Sequence, residues 1–240
     1  MKILAIDTSS KICSVSILED NKLILEKHNN DEKTHSQKLM PLIDELLKEC
    51  NIKLEDINLY ACSVGPGSFT GLRIGISTVK AFSDATNIQT CGISSLESLA
   101  YNISEKGLIA SIIDAKNENV YFSLFLHSEN EYKKIEDFCA DNIYNVIDKL
   151  LKYADREIIC VGDGSQIYKN ILSEKIKNIK LADEEKNDQT SVSIGKAAYD
   201  KFLKGIHGNS NSLIPMYLRK SQAERALERT KIIIKYNISN

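Results

Sequence analysis

The chain has 240 residues, 42% of them apolar and 27% charged, which is the composition of an ordinary folded protein of one large domain or two small ones. Its formal net charge of −2 argues against a strongly basic protein that binds RNA by itself, although a local basic patch stays open. The start lacks a secretory pattern, and no apolar run approaches the roughly 20 residues that span a bilayer. We therefore expect a cytoplasmic protein that does not contact a membrane.

The first part of the chain predicts three strands and then alternating helices and strands. Residues 2–7, 12–18 and 22–27 have strand patterns, and their close spacing predicts an antiparallel meander. A helix over 35–50 follows, for which Thr34 or Ser36 can provide the cap. The remaining elements of this part are strand 57–64, helix 69–84, strand 88–93 and a helix over 94–101.

The second part resembles the first weakly. Its predicted elements are strands 108–113 and 120–126, a helix near 140–152, strand 157–161 and a helix of about 191–204. Two β-rich parts that each open with a strand and a hairpin fit the duplicated actin, hexokinase and Hsp70 arrangement, an α/β fold of two similar lobes with mixed sheets flanked by helices. We expect an N-terminal lobe of 1–103, a second lobe of 104–220 whose 191–204 helix can pack back on the first, and a C-terminal tail of 221–240 with no predicted structure.

A glycine-rich segment, Gly65–Gly75, joins a predicted strand to a predicted helix. It is not a Walker loop, because no Gly-Lys-Ser/Thr follows, and its glycine spacing is not that of a dinucleotide fingerprint. One interpretation is an anion or nucleotide site, since free N–H groups at a helix start attract phosphate. The other is close packing, in which Gly71 and Gly75 lie on one helix face and admit another helix. The residues by themselves favour packing.

The loop after the first strand is the second candidate for ligand contact. Asp7 ends that strand and either handles phosphate and metal or forms a turn with the following serines. Arg73 either pairs with a carboxylate or phosphate or stays solvated. The candidate anion or nucleotide contacts are Asp7, Thr8, Gly65, Gly67, Ser68 and Arg73.

Motifs for metal binding and for nucleophilic catalysis are missing. The four histidines show neither His-x-x-x-His nor His-Glu-x-x-His spacing, and no Gly-x-Ser-x-Gly elbow occurs. The six cysteines form no Cys-x-x-Cys pair and are expected to be buried, reduced thiols. We therefore predict no metal site and no catalytic residue.

Several segments together resemble the TsaB family, and the likeness runs over residues 1–219. The block Gly65-Pro66-Gly67-Ser68-Phe69-Thr70-Gly71 is the specific part. The supporting segments are Ile3–Ser9, His35-Ser36-Gln37 with Leu39 and Pro41, Asp114-Ala115-Lys116 before Val120-Tyr121, and Pro215-Met216-Tyr217-Leu218-Arg219.

The resemblance implies an actin-like fold and a non-catalytic subunit that binds and activates TsaD, the relative that transfers threonylcarbamoyl to adenosine 37 of tRNA. TsaD holds its metal with a helical His-x-x-x-His. Alignment through Gly65-Pro66-Gly67 puts that pair at about Ser95 and Leu99 of this chain. Serine is a poor metal ligand, and leucine cannot bind a metal. The resemblance thus implies no cofactor on this chain itself. ATP, a divalent metal and the ATPase TsaE are expected in the complex, and tRNA only through it.

The resemblance also implies that the helices of 35–50 and 69–84 pair with TsaD or, when the chain is alone, with a second copy. The predicted interface residues lie on the apolar helix faces: Leu39, Leu42, Leu46, Gly71, Leu72, Gly75, Ile76 and Val79. A Gly71→Leu or Gly75→Leu change would then block pairing and leave the fold largely intact. Two alternatives stay open: a self-sufficient actin-fold ATPase, kinase or metallopeptidase-like enzyme, and a scaffold that binds nucleotide without turnover.

Overall fold

The computed structural model describes residues 1–29, 34–129 and 131–219, so the tail predicted over 221–240 lies outside the described residues. Within these ranges the strands form two five-stranded sheets. The strands of the first sheet are β1 (Lys2–Asp7), β2 (Cys13–Glu19), β3 (Lys22–Asn29), β4 (Leu59–Gly65) and β5 (Thr90–Ser94). Those of the second are β6 (Gly107–Asp114), β7 (Asn119–Ser128), β8 (Glu131–Asn142), β9 (Ile158–Val161) and β10 (Ile179–Leu181).

The two sheets have the same strand order. The first runs β3-β2-β1-β4-β5 and the second β8-β7-β6-β9-β10. In each, the first three strands form an antiparallel meander and the last two lie parallel to the first strand. This duplication confirms the predicted α/β fold of two similar lobes. We refer to the parts built on the two sheets as the first half and the second half.

Helices cover both faces of the first sheet. The helices of the described ranges are α1 (His35–Cys50), α2 (Phe69–Thr86), α3 (Ser95–Ala100), α4 (Ile143–Leu151), α5 (Asp163–Ile167), α6 (Lys169–Lys175) and α7 (Ser191–Leu203). Because side chains alternate along a strand, Leu4 and Ile6 of β1 pack in the core under α1 and α2, whereas Ile3 and Ala5 pack in the core under α7. The last α-helix of the described chain, α7, thus completes the first half.

Helix α3 joins the two halves through a shared core. Leu96 and Leu99 of α3 are fully buried and pack with Ile109 and Phe125 of the second sheet. Each Å² of apolar surface that this contact removes from water stabilises it by roughly 25 cal/mol. The halves are therefore packed against each other and do not hang on a linker.

The sequence patterns missed several elements of the second half. Strand β8 was not predicted, because it is an edge strand whose half-exposed side chains are largely polar. The helix predicted near 140–152 begins only at Ile143, since the Asn142 side chain accepts a hydrogen bond from Tyr144 N (3.0 Å) and caps it. The short elements α5, α6 and β10 were also missed. Across the described ranges, no helix combines the length and apolar character needed to cross a bilayer.

Candidate functional site

The glycine segment lies directly against the loop that follows β1. Ser68 N donates a hydrogen bond to Ser9 O (2.8 Å), and Thr8 Oγ1 donates one to Gly71 O (2.7 Å). A Cβ on Gly67 would lie 2.4 Å from Ser9 O, and a Cβ on Gly71 would lie 2.0 Å from Thr8 O. These glycines are therefore required by a close approach inside the chain.

In this structure the predicted interface residues face the interior of the chain, and the pairing of α1 and α2 with a partner stays a prediction. The side chains of Leu39, Leu46 and Val79 are at most 1% exposed. Gly75 faces Thr8, because a Cβ there would lie 2.5 Å from Thr8 Oγ1. The set that faces the first sheet or the β1 loop comprises Leu39, Leu42, Leu46, Gly71, Leu72, Gly75, Ile76 and Val79. The apolar faces of α1 and α2 are covered by the chain's own sheet, and Gly71→Leu is therefore expected to disturb the fold.

Asp7 is buried at the end of β1 and forms a turn with the residues after it. Its Oδ1 accepts hydrogen bonds from Ser9 N (2.7 Å) and Ser9 Oγ (2.6 Å), and Ser9 Oγ also lies 2.7 Å from Gln189 Oε1. Asp7 Oδ2 is buried and has no hydrogen-bond partner among the described residues. Burial raises the pKa of Asp7 from 3.8 to about 6, against smaller lowering effects of the Ser9 hydrogen bonds and His35.

Asp7→Asn is expected to flatten the pH dependence of stability. Because the folded-state pKa of Asp7 is raised, its contribution is fully present below pH 3.8 and is lost as pH rises through about 6. The difference in unfolding free energy between wild type and Asp7→Asn should change by about 3 kcal/mol over that range, and urea unfolding at pH 4 to 8 measures it. Asp44→Asn, at an exposed position of α1, is the control and should keep the wild-type profile. Parallel profiles for wild type and Asp7→Asn would contradict the prediction.

The outward face of α2 carries a cluster of exposed side chains, which we name the α2 surface cluster: Phe69, Arg73 and Tyr217. The Phe69 and Tyr217 rings stack with centroids 5.0 Å apart. The Arg73 guanidinium lies 4.0 Å from the Phe69 ring centroid, and Arg73 Nε donates a hydrogen bond to Tyr217 Oη (3.1 Å). Beside it Thr70, Ile74 and Ser77 help line a shallow hollow of about 390 Å³.

Only Arg73 of this cluster was a candidate from the sequence. Phe69 stands inside the glycine block and Tyr217 inside the Pro215–Arg219 segment, so both belonged to motifs that had been noticed. What the sequence lacked was the contact between them, because the two motifs lie far apart in the chain. Among the described residues Arg73 is neither simply solvated nor paired with an acid; it contacts two aromatic side chains.

The two positions at which the resemblance puts the metal histidines of TsaD, Ser95 and Leu99, are buried. Ser95 Oγ lies 2.7 Å from Ser63 Oγ, and Ser95 and Leu99 are both 0% exposed. In the part of the chain that the structure describes, no three His, Cys, Asp or Glu side chains gather as metal ligands.

Two similar halves with a glycine-rich strand-to-helix segment define a protein of the actin-like ATPase fold. The hexokinase of the ROK type from Thermus thermophilus shares this fold, with a TM-score of 0.51 and 10% identity over 85% of this chain and 100% of that one. A Pseudomonas aeruginosa protein described as similar to the peptidase YeaZ superposes with a TM-score of 0.75 and 23% identity, over 91% of this chain and 99% of that one.

Comparison with known sequences shows to which family of this fold the chain belongs. The family model for TsaD, tRNA N6-adenosine threonylcarbamoyltransferase, matches residues 24–227. The tRNA threonylcarbamoyladenosine biosynthesis protein TsaB of Bacillus subtilis is 31% identical over 233 residues, which cover 93% of this chain and 96% of that protein. The chain belongs to the TsaB, or YeaZ-like, family.

Proposed function

We propose that this chain is a non-catalytic subunit that binds and activates a TsaD-type enzyme for the N6-threonylcarbamoyladenosine modification of tRNA adenosine 37. Membership of the TsaB family supports the role in this pathway. The observation that carries the non-catalytic part is the pair Ser95 and Leu99, which are buried and offer no metal site where the resemblance puts the histidines of TsaD.

The TsaD-type partner docks on the outward face of α2. Phe69 and Tyr217 are 41% and 46% exposed, and the adjacent hollow offers apolar surface beside the Arg73 guanidinium. Aromatic and arginine side chains of this kind dominate the binding energy of protein interfaces. Met40 on α1 is also exposed, at 51%. Without TsaD, a second copy of the chain occupies the same face.

The other components act through the complex. The net charge of −2 supports the proposal that the chain contacts tRNA only as part of the complex. ATP and its divalent metal are held in the complex of this chain with TsaD and the ATPase TsaE. An independent enzyme would need access to Asp7, whose carboxyl group is 0% exposed and already accepts two hydrogen bonds from Ser9.

An omission experiment tests this proposal. The purified chain is mixed with its cognate TsaD, TsaE, tRNA, ATP, Mg²⁺ and threonylcarbamoyl-adenylate, and modified adenosine is measured with each component left out in turn. We expect modification to require TsaD, to fall at least about tenfold without this chain, and to be absent with this chain alone. Modification, or ATP turnover, by the chain without TsaD would contradict the proposal and favour the enzyme alternative.

A further inference from the structure

Residues 213–219 run from the core of the first half to the core of the second. Leu213 is 1% exposed and packs in the cluster under α1 and α2. Leu218 packs against the cluster that α3 forms with the second sheet. Seven residues therefore cross from one half to the other with an apolar anchor near each end, and we name them the strap.

The strap crosses the carboxyl end of β4. Met216 N donates a hydrogen bond to Val64 O (2.7 Å). A Cβ on Gly65, which has a φ of +106°, would lie 2.9 Å from Met216 O, so the two backbones are in close contact. The strand order of the first sheet reverses between the parallel strands β1 and β4, and the crevice at such a point is where open α/β sheets take ligands. The strap covers the β4 side of this crevice.

The far end of the strap holds the second half. Arg219 Nη1 donates a hydrogen bond to Ala115 O (2.6 Å), in the turn between β6 and β7. In that turn Ala115 N donates to Asn119 O (2.9 Å), which makes its amides suitable reporters of local opening. Between the two ends, Tyr217 is held on the outside by Phe69 and Arg73.

We propose that the strap is a conformational lock, which holds the β6–β7 turn of the second half to the end of β4, and that the α2 surface cluster is its release point. The Arg219 contact fixes the turn, and the Tyr217 contacts keep the strap in place from the surface. A protein that docks on Phe69 and Arg73 competes with Tyr217 for the same two side chains and thereby loosens the lock. This release step rests on the proposed function, whereas the lock itself does not.

Hydrogen–deuterium exchange on the isolated full-length chain tests the lock. Arg219→Ala and, separately, Tyr217→Ala should speed exchange of the amides of residues 114–119 and of Gly65, Gly67 and Ser68 by about fivefold, which corresponds to the loss of one hydrogen bond of ordinary strength. The amides of β9, residues 158–161, should exchange as in the wild type. Ile214→Ser is the control, since this strap side chain is 71% exposed.

The same experiment can overturn the lock. Wild-type exchange at 114–119 in both variants would show that the strap does not hold the turn. Equal acceleration of all protected amides, β9 included, would show a general loss of stability and would likewise contradict a local lock.

Addition of TsaD to the wild-type chain tests the release. We expect exchange at residues 114–119 to rise toward the rate of Arg219→Ala when TsaD is bound. Unchanged or slower exchange in the bound chain would contradict release by docking while the lock stands on the isolated chain. A TsaD that does not bind at all contradicts the proposed function and with it the release.

Discussion

Gly71→Ala is expected to lower the free energy of unfolding by about 3 kcal/mol or more, or to prevent folding. The added Cβ would lie 2.0 Å from Thr8 O, a backbone atom that cannot rotate away. Helix propensity by itself predicts the opposite sign, since alanine favours a helix interior by about 1 kcal/mol over glycine. Gly75→Ala should cost less, because its nearest atom is Thr8 Oγ1, at 2.5 Å, on a side chain that can turn. Urea unfolding measures both changes.

Ser77→Ala is the matched control for these two variants. Ser77 lies on the exposed face of the same helix, so its replacement should change stability by no more than about 0.5 kcal/mol. If Gly71→Ala unfolds at the same urea concentration as the wild type, the glycine is not required by the loop after β1. The hypothesis that another helix approaches at Gly71 would then regain its basis.

Arg73→Glu is expected to weaken binding of the TsaD-type partner by roughly 30-fold, or about 2 kcal/mol, if the α2 surface cluster is the docking site. The change removes the cation over Phe69, and it places a carboxylate where the surface offers a guanidinium. Arg73 is exposed, so the fold should tolerate the change. Titration of labelled TsaD with each variant measures the affinity.

A charge reversal elsewhere separates the cluster from general electrostatics. Lys175→Glu on α6 changes the net charge by the same amount and lies in the second half, where Lys175 pairs with Glu174 (3.2 Å). It should bind TsaD as the wild type does. Equal loss of affinity in both variants would point to net charge, and unchanged affinity in Arg73→Glu would remove α2 from the interface.

The helices α1 and α2 show what a sequence pattern can predict and what it cannot. Their apolar periodicity predicted both helices and their buried faces, because the 3.6-residue repeat is set by local geometry. The same pattern does not say what covers the face. We predicted a partner protein, and the structure shows that the first sheet covers it, with Leu39 and Val79 fully inside. We therefore propose the docking surface on the opposite face, where apolar periodicity gives no signal.

The sequence also left the structural role of the segment around Asp7 open. The turn at Asp7 and the role of the glycines in close packing were both among the interpretations that the residues allowed. The structure supports the packing interpretation of the glycines, because the backbone oxygens of Thr8 and Ser9 lie against Gly71 and Gly67. That contact joins segments about 60 residues apart, and no local pattern encodes it.

The sequence by itself determined the family, the α/β class and most elements of the first half, because motifs, caps and periodicity act over a few residues. Only the tertiary structure decided that the two sheets share one strand order, that Asp7 is fully buried, and that Tyr217 meets Phe69 and Arg73. The physical reason is that burial, pKa and surface clusters arise from contacts between distant segments, and those contacts exist only once the chain has folded.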